Sequence, residues 1–267
     1  MKHTHSQALA NGEFSGVPIR RTNLIDACNQ LISKALSVES PETYRLINAY
    51  NLALADIHPN YHHLLSSCGV NLPDGRPLSF ILRLLNRSHD FEQVRGPSLF
   101  RDCLDRGRVQ GLKHYFLGGT PNTLSALTRE AERRFPGLMV AGSASPPFRP
   151  VTAAERFSQD EDIRASGAQI VWVGLGTPKQ DFEAARICNQ LGLTTVAVGA
   201  AFDFLAKTKR EAHPLLRQLG LEWAHRLATE PRRLWRRYLF GNTRFIRLAL
   251  LEGWRTLNAH RRNPYRQ

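Results

Sequence analysis

Two stretches of this chain place glycines where a buried strand turns into a helix, an arrangement suited to binding phosphate. His114-Tyr115-Phe116-Leu117 runs into Gly118-Gly119-Thr120-Pro121, and Ile170-Val171-Trp172-Val173 runs into Gly174-Leu175-Gly176-Thr177-Pro178. A strand that ends this way offers free backbone N–H groups at the positive end of the next helix. The segment 174–180, which ends on Gln180, is therefore a candidate nucleotide site. On spacing alone, tight turns that bind nothing account for it equally well: Gly-Leu-Gly lacks the third glycine of a dinucleotide fingerprint and is not a Walker loop.

Three further groups could do chemistry. Asp74 lies between Pro73 and Gly75, where its local reading is a turn aspartate stabilised by its own backbone. Asp203 lies between Phe202 and Phe204 at a predicted strand end, a poor place for a solvated carboxylate. It should accept hydrogen bonds, from the protein or from a ligand such as ribose. Arg226, Arg232, Arg233, Arg236 and Arg237 crowd one short segment, and guanidinium groups at that density suit a diphosphate. A solvated basic face would look the same.

The elements that must position these groups follow from periodicity. Leu24, Ile25, Cys28, Leu31, Ile32, Ala35 and Leu36 recur at helical spacing within residues 20–40. A strand is predicted over residues 44–48, a helix through 52–55, and a turn within the Gly-Pro-rich stretch 69–77. After each glycine turn a helix runs on, to Phe135 and to Leu191, with Thr120 and Thr177 as N-caps and Pro121 and Pro178 at the first helical position. Apolar strands return over 138–141 and 194–198. Two βαβ units result, so the fold class is α/β, a Rossmann-like parallel central sheet flanked by helices with a helical C-terminal appendage. We expect a flexible tail over 1–19, an α/β domain over 20–206 and a basic helical appendage over 207–267.

Composition narrows the function classes. A chain of 267 residues that is 42% hydrophobic is not globally disordered. Residues 1–16 are polar with no apolar core, which reads as neither signal peptide nor anchor, and no apolar run approaches the roughly twenty residues a spanning helix needs. A cytoplasmic protein is expected. Cys28, Cys68, Cys103 and Cys188 are far apart and read as buried thiols. The ten histidines show no metal-ligand spacing, so metal catalysis is not expected.

The net charge of +13 is concentrated: residues 207–267 hold fifteen Lys and Arg against four Asp and Glu. Such asymmetry implies a polyanionic partner, whether phosphate-bearing lipid, anionic membrane or nucleic acid. No recognition-helix or RNA-binding signature accompanies it. Phe245, Ile246, Leu248, Leu250, Leu251, Trp254 and Leu257 alternate with Arg244, Arg247 and Arg255 in the manner of an interfacial helix, although they could equally pack on the core.

Several uncommon strings recur in one order: Val173-Gly174-Leu175-Gly176-Thr177-Pro178-Lys179-Gln180-Asp181, Val198-Gly199 with Phe202-Asp203-Phe204, Gly220-Leu221-Glu222-Trp223, Arg226-Leu227, and Glu230-Pro231-Arg232-Arg233. This order and spacing resemble the WecG/TagA/CpsF glycosyltransferase family over residues 48–245. The resemblance implies a metal-independent, cofactor-free inverting transferase of cell-surface polysaccharide biosynthesis. It implies a UDP-sugar donor, often of the N-acetylmannosamine type, a polyprenyl-diphosphate-linked sugar acceptor, and peripheral attachment to the anionic inner face of the cytoplasmic membrane, with no nucleic acid partner. By the same likeness Asp74 is the general base, Gln180 and Asp203 line the nucleotide-sugar pocket with Gly174 and Gly176, and Arg95 lies near the reacting sugars. Asn48 is the asparagine of the early strand motif, and Phe148 stands where an aromatic flanks uracil. Arg226, Arg232, Arg233, Arg236 and Arg237 belong to an appendage that completes the site at the membrane.

The chain departs from that pattern in three places. Leu46 replaces a common threonine, Asp181 replaces the usual glutamate, and residues 206–213 differ from the usual linker. These bear on which donor and acceptor are used. Two other readings compete with the transferase: a nucleotide-binding pseudoenzyme or regulator of the same fold, and a nucleic-acid-binding protein.

Overall fold

The computed structural model describes residues 11–37 and 39–262. It begins with a hairpin (β1, Gly12–Phe14; β2, Val17–Ile19), helix α1 (Leu24–Leu36), strand β3 (Thr43–Ile47), helices α2 (Ala49–Ala55) and α3 (Pro59–Ser67), strand β4 (Val70–Pro73), and helices α4 (Arg76–Asn86) and α5 (Gly96–Arg108). The first βαβ unit is β5 (Lys113–Gly118), α6 (Pro121–Arg134) and β6 (Met139–Ala144). After α7 (Ala153–Ala165) comes the second, β7 (Ile170–Gly174), α8 (Lys179–Leu191) and β8 (Thr194–Ala197). The last elements are α9 (Ala201–Leu205), α10 (Pro214–Gln218), α11 (Glu222–Thr229) and α12 (Pro231–Arg262).

Six strands form one parallel sheet in the order β4-β3-β8-β7-β5-β6. Its central strands are buried on both faces, as a parallel sheet flanked by helices requires. Along β5 and β7 the side chains alternate: Phe116 and Trp172 join Phe100, Leu31 and Phe202 on one face, while Tyr115, Leu117, Val171 and Val173 meet Ile163 and Ile187 on the other. The α/β expectation, with its two βαβ units, is the observed architecture.

A third apolar cluster lies off the β3 and β4 end of the sheet. There Phe14 stacks on Phe245 with ring centroids 5.4 Å apart, and Ile47, Tyr61, Leu78 and Leu248 belong to the same cluster. Helix α12 therefore packs its Leu234, Phe245 and Leu248 face onto the rest of the protein. Its opposite face leaves Trp235, Leu239, Ile246, Leu250, Trp254 and Leu257 exposed, a stripe at helical spacing.

Three local expectations need correction. The expected tail holds structure over 12–19, because Phe14, Val17 and Ile19 bury completely or nearly so and draw a hairpin onto the third cluster. Residues 1–10 lie outside the described residues. Thr120 caps α6 as expected, its hydroxyl accepting from the Thr123 N–H at 3.1 Å. Thr177 does not cap α8 and Pro178 is not its first helical residue: the helix begins at Lys179, with Pro178 itself in the cap position. Of the four thiols Cys68 is exposed, since it ends α3 at a turn rather than inside the core.

Candidate active site

Parallel strands deliver their C-terminal residues to one edge of the sheet, and the strand-borne motifs singled out in the sequence end there. Reading across that edge, β4 presents Asp74, β3 presents Asn48, β8 leads to Gly199 and Asp203, β7 to Gly174 and Gln180, β5 to Gly118 and Thr120, and β6 to Phe148. Ligands of open α/β sheets lie where successive connections diverge. Here that point falls between β5 and β7: β5 continues rightward to β6, while β7 continues leftward to β8.

The crevice at that point is built by glycine. A side chain on Gly118 would sit 2.5 Å from the Gly174 carbonyl oxygen, so the two strand ends approach this closely because Gly118 lacks one, while a Cβ on Gly174 would meet the Phe202 ring at 2.8 Å. Gln180 fixes the far wall. Its side-chain oxygen accepts from the Gly176 N–H and the Gly199 N–H, each at 3.1 Å, and the residue is buried. It thus ties the β7 turn to the β8 turn. The Ser145 hydroxyl donates to the Gly119 carbonyl at 2.7 Å, which brings the loop bearing the exposed Phe148 over the β5 turn.

Removing this tie has a predictable result. Gln180→Ala leaves two loop N–H groups without their partner, at about 1–3 kcal/mol for each that stays buried. We expect a lower Tm in a thermal melt and a donor KM raised at least several-fold, with a smaller change in kcat.

Asp74 lies three strand spacings from β7, about 14 Å along the sheet edge. Its N–H donates to the Ile47 carbonyl at 2.7 Å, and Pro73 accepts from the Val94 N–H at 2.7 Å, so the turn is pinned from both sides. Gly75 adopts φ +94°, which lets the chain double back into α4 directly behind the carboxylate. Burial raises the Asp74 carboxyl to about 6, and the nearby Glu222 charge adds to the rise, while Arg95, Arg226 and Arg237 oppose it. The local reading of Asp74 as an ordinary turn aspartate does not describe a carboxylate so surrounded.

The charges around Asp74 come from distant parts of the chain. Arg95 lies at the start of α5 and is nine-tenths buried. It donates to both Glu222 carboxylate oxygens, from Nε at 2.9 Å and Nη2 at 2.8 Å, and pairs through Nη1 with Glu211 at 3.0 Å. That two-pronged contact clasps α11 and the preceding linker to the core. Two guanidinium groups lie over the Phe204 ring, Arg95 at 5.8 Å from its centroid and Arg226 at 6.0 Å. Arg237 stacks on the ring of Tyr50, two residues after Asn48, at 4.3 Å, and burial beside Arg226 pushes its guanidinium below the usual arginine range.

The structure sorts the five appendage arginines. The charges of Arg226 and Arg237 reach Asp74 and lower its value, whereas Arg233 pairs with Glu230 at 2.9 Å, Arg236 lies over Trp235, and Arg232 faces solvent. Asp203 is engaged within the protein: it accepts from the Thr208 hydroxyl at 3.2 Å and pairs with Lys209 at 3.3 Å. Glu222, Glu211, Phe204 and Tyr50 were not picked out as site residues from the sequence. Glu222 stood in a quoted motif, yet nothing in its spacing announces an arginine 127 residues earlier. Among the described residues, no three His, Cys, Asp or Glu side chains gather as a metal cage.

Glycine turns gather at the switch point of the sheet, and Asp74, Arg95 and Glu222 lie farther along the same edge, where open α/β sheets bind their ligands. Comparison with known proteins defines the site further. The model of the glycosyl transferase WecG/TagA/CpsF family matches residues 13–259, and the chain belongs to that family. It is a glycosyltransferase. Among curated relatives, the N-acetylglucosaminyldiphosphoundecaprenol N-acetyl-beta-D-mannosaminyltransferase of Bacillus spizizenii is 27% identical over 183 residues, covering 68% of each chain.

Proposed function

We propose that this enzyme moves a sugar of the N-acetylmannosamine type from a UDP-sugar to a polyprenyl-diphosphate-linked sugar, with inversion, in cell-surface polysaccharide biosynthesis. The observation that carries the reading is the position of Asp74 at the carboxyl edge of the sheet, beyond β4 and beside the turn at Asn48, where the charges of Arg95, Arg226, Arg237 and Glu222 act on its carboxyl. The uridine diphosphate lies in the β5/β7 crevice, with its phosphates on the glycine turns and its uracil toward Phe148. The sugar then extends along the sheet edge toward Asp74. Asp74 accepts the proton of the acceptor hydroxyl as that oxygen attacks the anomeric carbon, the bond to the UDP oxygen breaks, and UDP departs with the electron pair. One displacement inverts the centre. Arg226 and Arg237 hold the acceptor's diphosphate.

The test is turnover: purified enzyme is incubated with a panel of UDP-sugars and a synthetic lipid-diphosphate N-acetylglucosamine, and UDP release is followed. One donor should be consumed only when acceptor is present. Binding of UDP without turnover of any donor would favour a regulator of the same fold.

A base works only when ionised, so kcat/KM should climb with pH through about 6, the value to which burial raises Asp74. Glu222→Gln removes the negative charge that helps keep that value up, so the ascending limb should move to lower pH. A limb that stays in place in this variant would separate Glu222 from the reacting carboxylate.

Among the described residues no helix is long and apolar enough to cross a membrane. We propose that the exposed stripe of α12, flanked by Arg232, Arg236, Arg247 and Arg255, lies on the anionic inner face of the membrane. Trp235→Ala with Trp254→Ala should weaken binding to vesicles containing phosphatidylglycerol, read by sedimentation, with no effect on UDP-sugar binding. Tighter binding to duplex DNA than to such vesicles, with a steep salt dependence, would contradict the assignment.

A further inference from the structure

Behind Asn48 the structure holds a buried polar chain that the mechanism above does not use. Asp181, on the first turn of α8, is fully buried, and its Oδ2 accepts from the Tyr61 hydroxyl at 2.8 Å. The same hydroxyl accepts from the Asn51 side-chain amide at 2.8 Å. Asn51 in turn accepts from the Asn48 N–H at 3.2 Å, closing a capping box in which the Asn48 side chain accepts from the Tyr50 N–H at 3.0 Å. Asn51 and Tyr61 are buried as well, so the two bonds at the Tyr61 hydroxyl are shielded from water, while the Asn48 end of the chain is half-buried.

The direction of every bond is set at the Asp181 end. Burial raises the Asp181 carboxyl to about 6, so at pH 7 and above it is chiefly ionised and only accepts; Tyr61 must then donate to it and is left with its oxygen free to accept. Asn51 must then offer its NH2 to Tyr61, which turns its carbonyl toward the Asn48 backbone. Asn48, with its own carbonyl oxygen committed to Tyr50, has its NH2 left over, beside the Gly75 turn that carries Asp74. The Tyr61 phenol is held far above its ordinary range by burial and by the Asp181 charge, so it keeps the proton that this order requires. Buried, fully directional chains of this kind fix one geometry and tolerate little else.

We infer that Asp181, Tyr61 and Asn51 form a positioning relay that orients Asn48 at the edge of the reacting site. They touch no substrate; they act through Asn48. The inference rests on the proposed reading of this sheet edge as the reacting site, and adds that Asn48 holds substrate there beside Asp74. It gives the chain's own aspartate at this place, where the resembling family usually has glutamate, a defined task. Asp181 also leaves its second oxygen without a partner among the described residues, so its whole hydrogen-bonding service goes to Tyr61.

The test is a double-mutant cycle on turnover with the donor that the UDP-sugar panel selects. Tyr61→Phe should lower kcat roughly tenfold, with donor KM changed less than twofold, by letting Asn48 drift. In an Asn48→Ala background the same substitution should cost nothing further. Equal losses in both backgrounds would overturn the relay while leaving the site reading intact. An Asn48→Ala enzyme with undiminished turnover would remove Asn48 from the site, and the relay with it. Should Tyr61→Phe fail to fold, Asp181→Asn serves in the same cycle, because it keeps the volume and removes the acceptor-only end. Asp181→Glu should then recover most of the turnover that Asp181→Asn loses, and no recovery would count against the relay.

Discussion

Replacing Asp74 by asparagine should lower kcat by roughly 10²- to 10⁴-fold while UDP-sugar binding survives. The amide keeps the shape of the carboxylate and its place in the turn, but it cannot take the acceptor's proton. The same substitution should make the protein more stable at neutral pH, and the sign follows from linkage. The Asp74 carboxyl sits near 3.8 in an unfolded chain and at about 6 in the fold, so the folded state binds this proton more tightly. Stability is therefore given up as pH rises from about 4 to about 6, and above that range the full cost is present. A difference of that size bounds the gain on substitution at about 3 kcal/mol, and residual solvent contact at Asp74 makes the realised gain smaller. A lower Tm for Asp74→Asn at pH 7.5, measured beside its activity, would show that the carboxylate is structural.

The second large effect concerns Arg226 and Arg237. Their joint replacement by alanine should reduce kcat/KM for the lipid acceptor by roughly 10²- to 10³-fold, because two charge-assisted contacts to diphosphate disappear from a partly desolvated site. Both guanidinium groups hold the Asp74 value down, so their removal should also move the ascending limb of the pH profile upward. That shift is opposite to the one expected for Glu222→Gln, and the pair of results distinguishes electrostatic tuning from general damage. Arg232→Ala, at a solvent-facing position, serves as the comparison and should leave acceptor kinetics within about twofold. Point substitutions are preferable to truncation here, because α12 also covers Phe14, Ile47 and Leu78 in the third apolar cluster.

Much of the architecture was legible because it is local. The strand, glycine turn and helix start of 114–121 and 170–180 are written in consecutive residues, and the parallel sheet follows from them. The hairpin over 12–19 was not legible, since two strands of three residues are too short to show a period and exist by packing on Phe245, far away in the chain. The site divided in the same way. Gln180 and the glycines announce themselves by their place in a motif. The surroundings of Asp74 do not: Arg95 and Glu222 meet through a fold that the sequence encodes only as a whole, and two opposite charges 127 positions apart carry no mutual signal. The Tyr61 and Asp181 pair, from α3 and α8, is hidden for the same reason.

The measurement that bears most directly on this account is a crystal structure of the enzyme with UDP bound, followed by one with an unreactive UDP-sugar. The diphosphate should lie against Gly118–Thr120 and the 174–180 turn, with the anomeric carbon turned toward Asp74 and open space between them for an attacking hydroxyl. A diphosphate bound away from those two glycine turns, or an Asp74 carboxylate shut off from the sugar by protein, would contradict it.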